Sequence, residues 1–333
     1  MKISKRIMAT ALAALTMSMS LAGCGGSSSS TASDSSSSEA GKVYNIGICQ
    51  LVTHDALDAA TEGFKEAVIE GLGEENVNFI EQNAAGDNNT CTTIVNDFVS
   101  KDVDLIMANA TGALQAAANS TVDIPILGTS ITEYGVALEI DDFTGTVGGN
   151  ISGTSDLAPL EDQAQMIIDL VPDAKTVGLL YCSAEPNSSY QVKVVREYLE
   201  GKGLTVKDYA FSASSDVAQV AEAAAAESDA IYIPTDNTAA SCTETINNVV
   251  LPTKTPIIAG EAGICTGCGV ATLSISYKEL GRKTGEMAVA ILKGEKNISE
   301  MPIEYDDSPV KKYNKTICDE LGFTVPDDYE VLE

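Results

Sequence analysis

The stretch Gly148–Asp162, GGNISGTSDLAPLED, is the seam of a chain of 333 residues. Its glycine pair and Asn-Ile-Ser-Gly turn lead to Ser155 and Asp156, a strand leaving one lobe and a capped helix opening the next. Strand-like and helix-like segments alternate before the seam, and the alternation restarts after it at much the same spacing. The expectation is an α/β protein of two lobes with a cleft between them.

On the N-terminal side, β-rich runs at Val43–Cys49, Val77–Gln82, Asp104–Ala108 and Ile124–Leu127 alternate with helical periodicity at Ala56–Gly71, around Ile94–Val99 and at Gly112–Ala118. That order implies a parallel sheet with right-handed crossovers and helices on both faces. On the C-terminal side, strands are expected at Thr176–Tyr181, Leu204–Ala210, Ala230–Ile233 and Pro256–Ala259. Helices are expected at Leu160–Leu170, Ser189–Lys202, Val217–Ala226, Asn237–Val250, Tyr277–Lys293 and Tyr313–Leu321. The tail is expected to cross back between lobes, several crossings making a hinge that opens without twisting. In such sheets ligands sit beyond the carboxyl ends of the strands. The loops there are Cys49–Asp55, Asn83–Asn88, Asn109–Gly112 and Gly128–Tyr134 in the first lobe. Those of the second are Cys182–Ser188, Pro234–Asn237 and Gly260–Gly269.

A net charge of −28 argues against nucleic acid, because phosphate binding needs a basic surface. Lys2, Lys5 and Arg6 precede the apolar Ile7–Leu21 segment, too short to span a bilayer of roughly 20 residues' depth. This is an export signal. It ends in Leu21-Ala22-Gly23-Cys24, which resembles the lipobox of bacterial lipoproteins and implies cleavage before Cys24 and acylation, as with palmitate, of its thiol. The Ser-rich spacer up to Ala40 cannot bury a core and should be a tether. Residues 1–23 are thus expected to be signal and 24–41 tether, placing the body lipid-anchored at the extracytoplasmic face of the cell membrane.

Catalytic chemistry has little footing. His54 is the single histidine, and no nucleophile elbow, P-loop or dinucleotide loop follows a strand. His54 sits at a strand end, where either cleft contact or a surface and capping role fits. Cys265-Thr-Gly-Cys268 has redox or metal-knuckle spacing, but a structural zinc would need a second such pair. A local disulfide, free thiols and a metal therefore stay open for it. Asp236 follows the buried run Ile231–Pro234 and opens a helix, as an N-cap, an anchor for a cationic group, or both. Thr111, Thr129, Ser130 and the Ser188-Ser189 helix start offer hydroxyls and helix N–H groups to a carboxylate. Opposite ends of a zwitterion would then be held by opposite lobes, and only the closed state satisfies both.

Seven stretches carry a family resemblance: GICQLVTHDALDAATEGF (Gly47–Phe64), QNAAGD (Gln82–Asp87), DIPILGTSIT (Asp123–Thr132), GGNISGTSD (Gly148–Asp156), LLYCSAEPNS (Leu179–Ser188), IYIPTDNTAAS (Ile231–Ser241) and SYKELGRKTGEMA (Ser276–Ala288). From Val43 to Pro326 the chain resembles the substrate-binding proteins of ABC transporters, of the tryptophan and tyrosine type. The resemblance implies the type I periplasmic-binding-protein fold, two Rossmann-like lobes with the ligand enclosed at the hinge. Residues 42–154 with about 275–304 would form one lobe, and 155–274 with about 305–333 the other. The family's binding positions fall on Gln50 and His54, Thr129 and Ser130, Ser183, Glu185, Asn187 and Ser188, Asp236 and Asn237, and Glu261, with Asp236 facing an α-amino group. Stacking would draw on Tyr134, Tyr181, Tyr190 or Tyr277.

The function expected is capture of a small amino acid-like solute, aromatic by preference, for an ABC permease with its cytoplasmic ATPase. A receptor reporting the same solute to a membrane kinase or chemoreceptor is the alternative, and an enzyme is disfavoured. No cofactor or metal is expected, and the chain should be a monomer.

Overall fold

Strands of two to seven residues, the central ones mostly apolar, form two sheets in the computed structural model, which describes residues 42–306 and 308–332. The signal, the spacer and Cys24 lie outside the described residues. The first half supplies β1 (Tyr44–Gln50), α1 (Asp55–Leu72), β2 (Val77–Asn83), α2 (Asn88–Ser100), β3 (Leu105–Asn109), α3 (Thr111–Ser120), β4 (Ile126–Ile131), α4 (Tyr134–Ala137) and β5 (Ile151–Ser155). The second supplies α5 (Leu160–Leu170), β6 (Thr176–Cys182), α6 (Pro186–Gly201), β7 (Thr205–Phe211), α7 (Val217–Glu227), β8 (Ala230–Ile233), α8 (Asn237–Ala240), α9 (Thr243–Val250), β9 (Ile257–Ala259), α10 (Ala262–Cys268) and β10 (Ala271–Ser274). The tail adds α11 (Tyr277–Leu292), β11 (Glu304–Tyr305), β12 (Val310–Tyr313), α12 (Lys315–Leu321) and β13 (Glu330–Val331).

One sheet has the order β11-β5-β4-β3-β1-β2, and the other β13-β12-β10-β9-β8-β6-β7. Every pairing is parallel except β10 with β12. Central strands such as Leu105–Asn109 and Ile126–Ile131 are buried along their whole length, as sheets covered on both faces require. The edge strand β2 alternates partly buried with exposed positions instead.

The seam holds β5, the last long strand of the first sheet, and the chain leaves it at Asp156 to enter α5. It returns at Ile275-Ser276 into α11, and passes over again between Tyr305 and Val310. Helix α11 lies along α1 at backbone contact: a Cβ on Gly63 would overlap the Lys278 carbonyl, and one on Gly281 the Ala60 carbonyl. Gly153, at φ 146°, similarly leaves room for the Tyr134 hydroxyl, which donates to the Thr154 carbonyl at 3.1 Å. Tyr134 is therefore core rather than a stacking platform.

Three local expectations are corrected. Asn237–Val250 is two helices, because Ser241 Oγ turns back to the Thr238 carbonyl at 2.8 Å and ends the first. The Gly260–Gly269 loop contains α10, nucleated by Glu261, whose carboxylate accepts from the Gly263 and Ile264 N–H groups. The final helix starts at Lys315, since Val310–Tyr313 pairs with β10 and Asn314 is the N-cap of α12. No described helix is long and apolar enough to cross a membrane.

Candidate ligand-binding cleft

Strand ends from both sheets converge on the space between the lobes. In the first lobe, Gln50 closes β1 but spends its amide internally, accepting from Thr61 Oγ1 at 2.7 Å and donating to the Val52 carbonyl at 2.9 Å. Thr111 is buried at the start of α3, after Ala110 at φ 86°. Thr129 Oγ1 lies 3.3 Å from Thr154 Oγ1, which pairs with Thr284 on α11, so its side chain belongs to the sheet interior. Ser130 is different. The β4–β5 register shifts between Gly128 and Ile131, and Ser130 takes the left-handed φ of 56° that a non-glycine residue holds only when its surroundings impose it. Its buried hydroxyl has no partner among the described residues.

In the second lobe, Glu185 is a hub. Its Oε1 accepts from Thr238 N–H (2.8 Å) and Oγ1 (2.7 Å), and its Oε2 from Asn237 N–H (3.0 Å), Asn237 Nδ2 (2.7 Å) and Asn187 Nδ2 (3.1 Å). Asp236 accepts from Ala239 N–H on one oxygen, and from Cys182 N–H and the Ser188 hydroxyl on the other, at 2.6–2.8 Å. It caps α8 and ties β8 to the end of β6. Ser183, exposed, donates to the Phe211 carbonyl, and Glu261 caps α10. Asn187 commits both amide protons to Glu185 and the Thr235 carbonyl, leaving its buried Oδ1 unpaired among the described residues.

The lobes touch through His54, whose Nε2 lies 3.3 Å from Asn237 Oδ1. The Glu185 carboxylate can only accept, so the Asn237 amide protons face it and Oδ1 faces the ring. Nε2 must then carry the proton, and the buried Nδ1 of the neutral ring is an acceptor without a described partner. Burial holds the imidazole pKa below its usual value, against the pull of Asn237, Glu185, Asp58 and Asp55. Cavities of about 320 Å³, beside Thr53, His54 and Gly267, and about 250 Å³, beside Val52, Glu185 and Asn237, flank this bridge. Asn237→Ala is expected to loosen the closed state: small-angle scattering of ligand-free protein should give a larger radius of gyration. An unchanged radius rejects the bridge as a latch.

Burial drives three carboxyls the other way. Asp236 is pushed up to about 7, with Glu185 adding repulsion, and Glu261 to about 7. Asp156 is pushed up to about 6 at the end of β5, where Tyr277 donates to it at 2.9 Å. Sequence reasoning left Asp156 out of the binding residues and offered Tyr277 for stacking, not for a hydrogen bond to that acid. The missed signal is an acid directly after a buried strand, the same pattern that singled out Asp236. Tyr181 and Tyr190 are partly buried, and the buried Tyr277 spends its hydroxyl on Asp156. The seven described cysteines are free thiols, Cys265 and Cys268 included. No cluster of metal-ligating residues occurs among the described residues.

The model of the family described as ABC transporter substrate binding protein matches residues 45–332. A tyrosine-binding protein of Clostridioides difficile (strain R20291) is 36% identical over 272 residues, 80% of this chain and 77% of that one. Among solved structures, an ABC domain from Streptococcus pneumonia in complex with L-Trp superposes with a TM-score of 0.83 at 32% identity, covering 87% of this chain and 100% of that one. A substrate-binding protein with adhesive properties from Clostridium difficile, ligand-free and open, gives 0.67 at 36% identity, covering 87% and 99%. By the family model over residues 45–332 and the 36% identical relative, the chain belongs to the substrate-binding proteins of ABC transporters, with the type I periplasmic-binding-protein fold.

Proposed function

We propose that the protein captures a small amino acid-like solute, aromatic by preference, between its lobes and delivers it to an ABC permease driven by a cytoplasmic ATPase. One observation carries this reading. Among the buried side-chain atoms with no partner among the described residues, His54 Nδ1, Ser130 Oγ, Asp156 Oδ1 and Asn187 Oδ1 lie at or within a few residues of the carboxyl ends of β1, β4, β5 and β6, while Asn109 Oδ1, Ser228 Oγ and Thr272 Oγ1 are also unpaired. Each such atom costs about 1–3 kcal/mol. Gathering the first four at one cleft makes sense where a polar solute supplies their partners. The tyrosine-binding and L-Trp-bound relatives support an aromatic amino acid. Closer likeness to the L-Trp complex than to the open, ligand-free relative, despite lower identity, supports a closed arrangement.

The moving bodies in this reading are residues 42–154 with about 275–304, and 155–274 with about 305–333. Cys24 anchors a monomer to the outer face of the membrane, and no reaction is catalysed. Thermal melts against a panel of amino acids test the solute class. An amino acid at about 100 times its Kd should add about 2.7 kcal/mol and raise the midpoint by about 5 °C. A panel in which none shifts the midpoint rejects the class.

A further inference from the structure

Four carboxylates lie buried around the cleft, and their oxygens are unequally occupied. Asp236, Glu185 and Glu261 each have both oxygens engaged by N–H or O–H groups of the second lobe. Those contacts cap α8 and α10 and hold the β6 and β8 ends together, so these acids build the fold. Asp156 is 3% exposed, and its Oδ2 accepts from Tyr277 at 2.9 Å. Its Oδ1 is buried without any partner among the described residues. The Asp156 N–H donates to the Ile131 carbonyl at 3.1 Å, which sets the residue beside Ser130 at the end of β4.

We propose that Asp156, rather than Asp236, receives the ammonium group of the bound solute; this rests on the amino acid reading above. A buried carboxylate oxygen demands a strong donor, and an ammonium brings three. The unpaired atoms of Asn187, His54 and Ser130 point the same way. Asn187 Oδ1 is fixed as an acceptor by the commitments of its amide protons, and His54 Nδ1 by the Asn237–Glu185 chain. Only the Ser130 hydroxyl can also donate. An acceptor-rich set selects a donor-rich solute. The place matters as much as the charge: Asp156 opens the first crossing between lobes, and its partner Tyr277 follows the second. Filling Oδ1 therefore fixes two hinge segments at once and links occupancy to closure.

Calorimetry on the purified chain distinguishes the two acids. The probes are L-tryptophan and L-tyrosine against indole-3-propionate and 3-(4-hydroxyphenyl)propionate, which lack only the ammonium. The wild type is expected to prefer an amino acid to its des-amino analogue by about 100-fold or more. Asp156→Asn should erase most of that preference while changing affinity for the des-amino analogue by less than about 3-fold. Asp236→Asn should lower the melting temperature and leave the preference in place. If Asp156→Asn fails to fold, Asp156→Ser, which keeps a hydroxyl towards Tyr277, reads the same difference. Amino acid binding whose preference survives the Asp156 variant, or is lost in the Asp236 variant instead, overturns the assignment alone. A wild type that binds no amino acid overturns the solute class together with it.

Discussion

Ligand-free protein is expected to melt at a higher temperature at pH 5 than at pH 8. Three buried carboxyls set the sign: Asp156 is raised from 3.8 to about 6, Asp236 from 3.8 to about 7 and Glu261 from 4.5 to about 7. Between the unfolded and folded values the native state holds protons that the unfolded state has lost. Stability therefore falls as pH climbs from about 4 to about 7, and stays low above that. A tenfold difference in proton affinity between the two states corresponds to about 1.4 kcal/mol, so the change should reach a few kcal/mol. His54 opposes it, because a ring held neutral loses stability as pH drops below 6.5, but it is one group against three. Exposed acids lowered by Lys or Arg partners, such as Glu70 and Glu227, titrate below this window and contribute little. Melting curves in buffers matched for ionic strength check the claim, and a midpoint that rises from pH 5 to pH 8 refutes it.

Gly281→Ala should be a strongly damaging single-methyl change in the first lobe, at about 3 kcal/mol. The added Cβ would overlap the Ala60 carbonyl, which is backbone and cannot rotate away. Relief requires α11 to move off α1, and Leu280, Thr284, Met287 and Ala288 of α11 are buried in that lobe. Gly201→Ala is the control: it sits at the end of α6 with nothing within 4 Å of the new methyl, and should cost nothing or stabilise slightly. Urea midpoints of both variants decide the point, and equal midpoints would show that the α1–α11 approach is not held by its glycines.

The fold was legible wherever burial forced an apolar run. Leu105–Asn109 had to be a strand and Tyr277–Leu292 a helix, whereas β4 runs on to Ile131 through Gly128–Ser130, which the sequence reading had given to a loop. Elements made by capping were not legible: α10 is built around Gly-Ile-Cys-Thr-Gly, and it exists because Glu261 satisfies its first N–H groups. At the cleft, sequence could place residues at strand ends but could not see which atoms were already spent. Asp236 and Asp156 follow buried strands alike. Only three-dimensional neighbours reveal that one is consumed by Cys182, Ser188 and Ala239 while the other keeps an oxygen unpaired. Thr129 and Ser130 are adjacent in sequence, yet one bulge sends their hydroxyls to different places.

The return of α11 and β11 to the first sheet fixes when this chain can fold as well as how it bends. The N-terminal lobe needs a helix beginning at Tyr277 and an edge strand at Glu304-Tyr305, separated from β5 by most of the other lobe. During synthesis, α1 and β5 emerge long before the segments that cover them, so the lobe stays incomplete until the chain is almost finished. Long-range closure of this kind is slow. A polypeptide that ripens late remains threadable for most of its early life, which suits a protein proposed to do its work on the far side of a membrane.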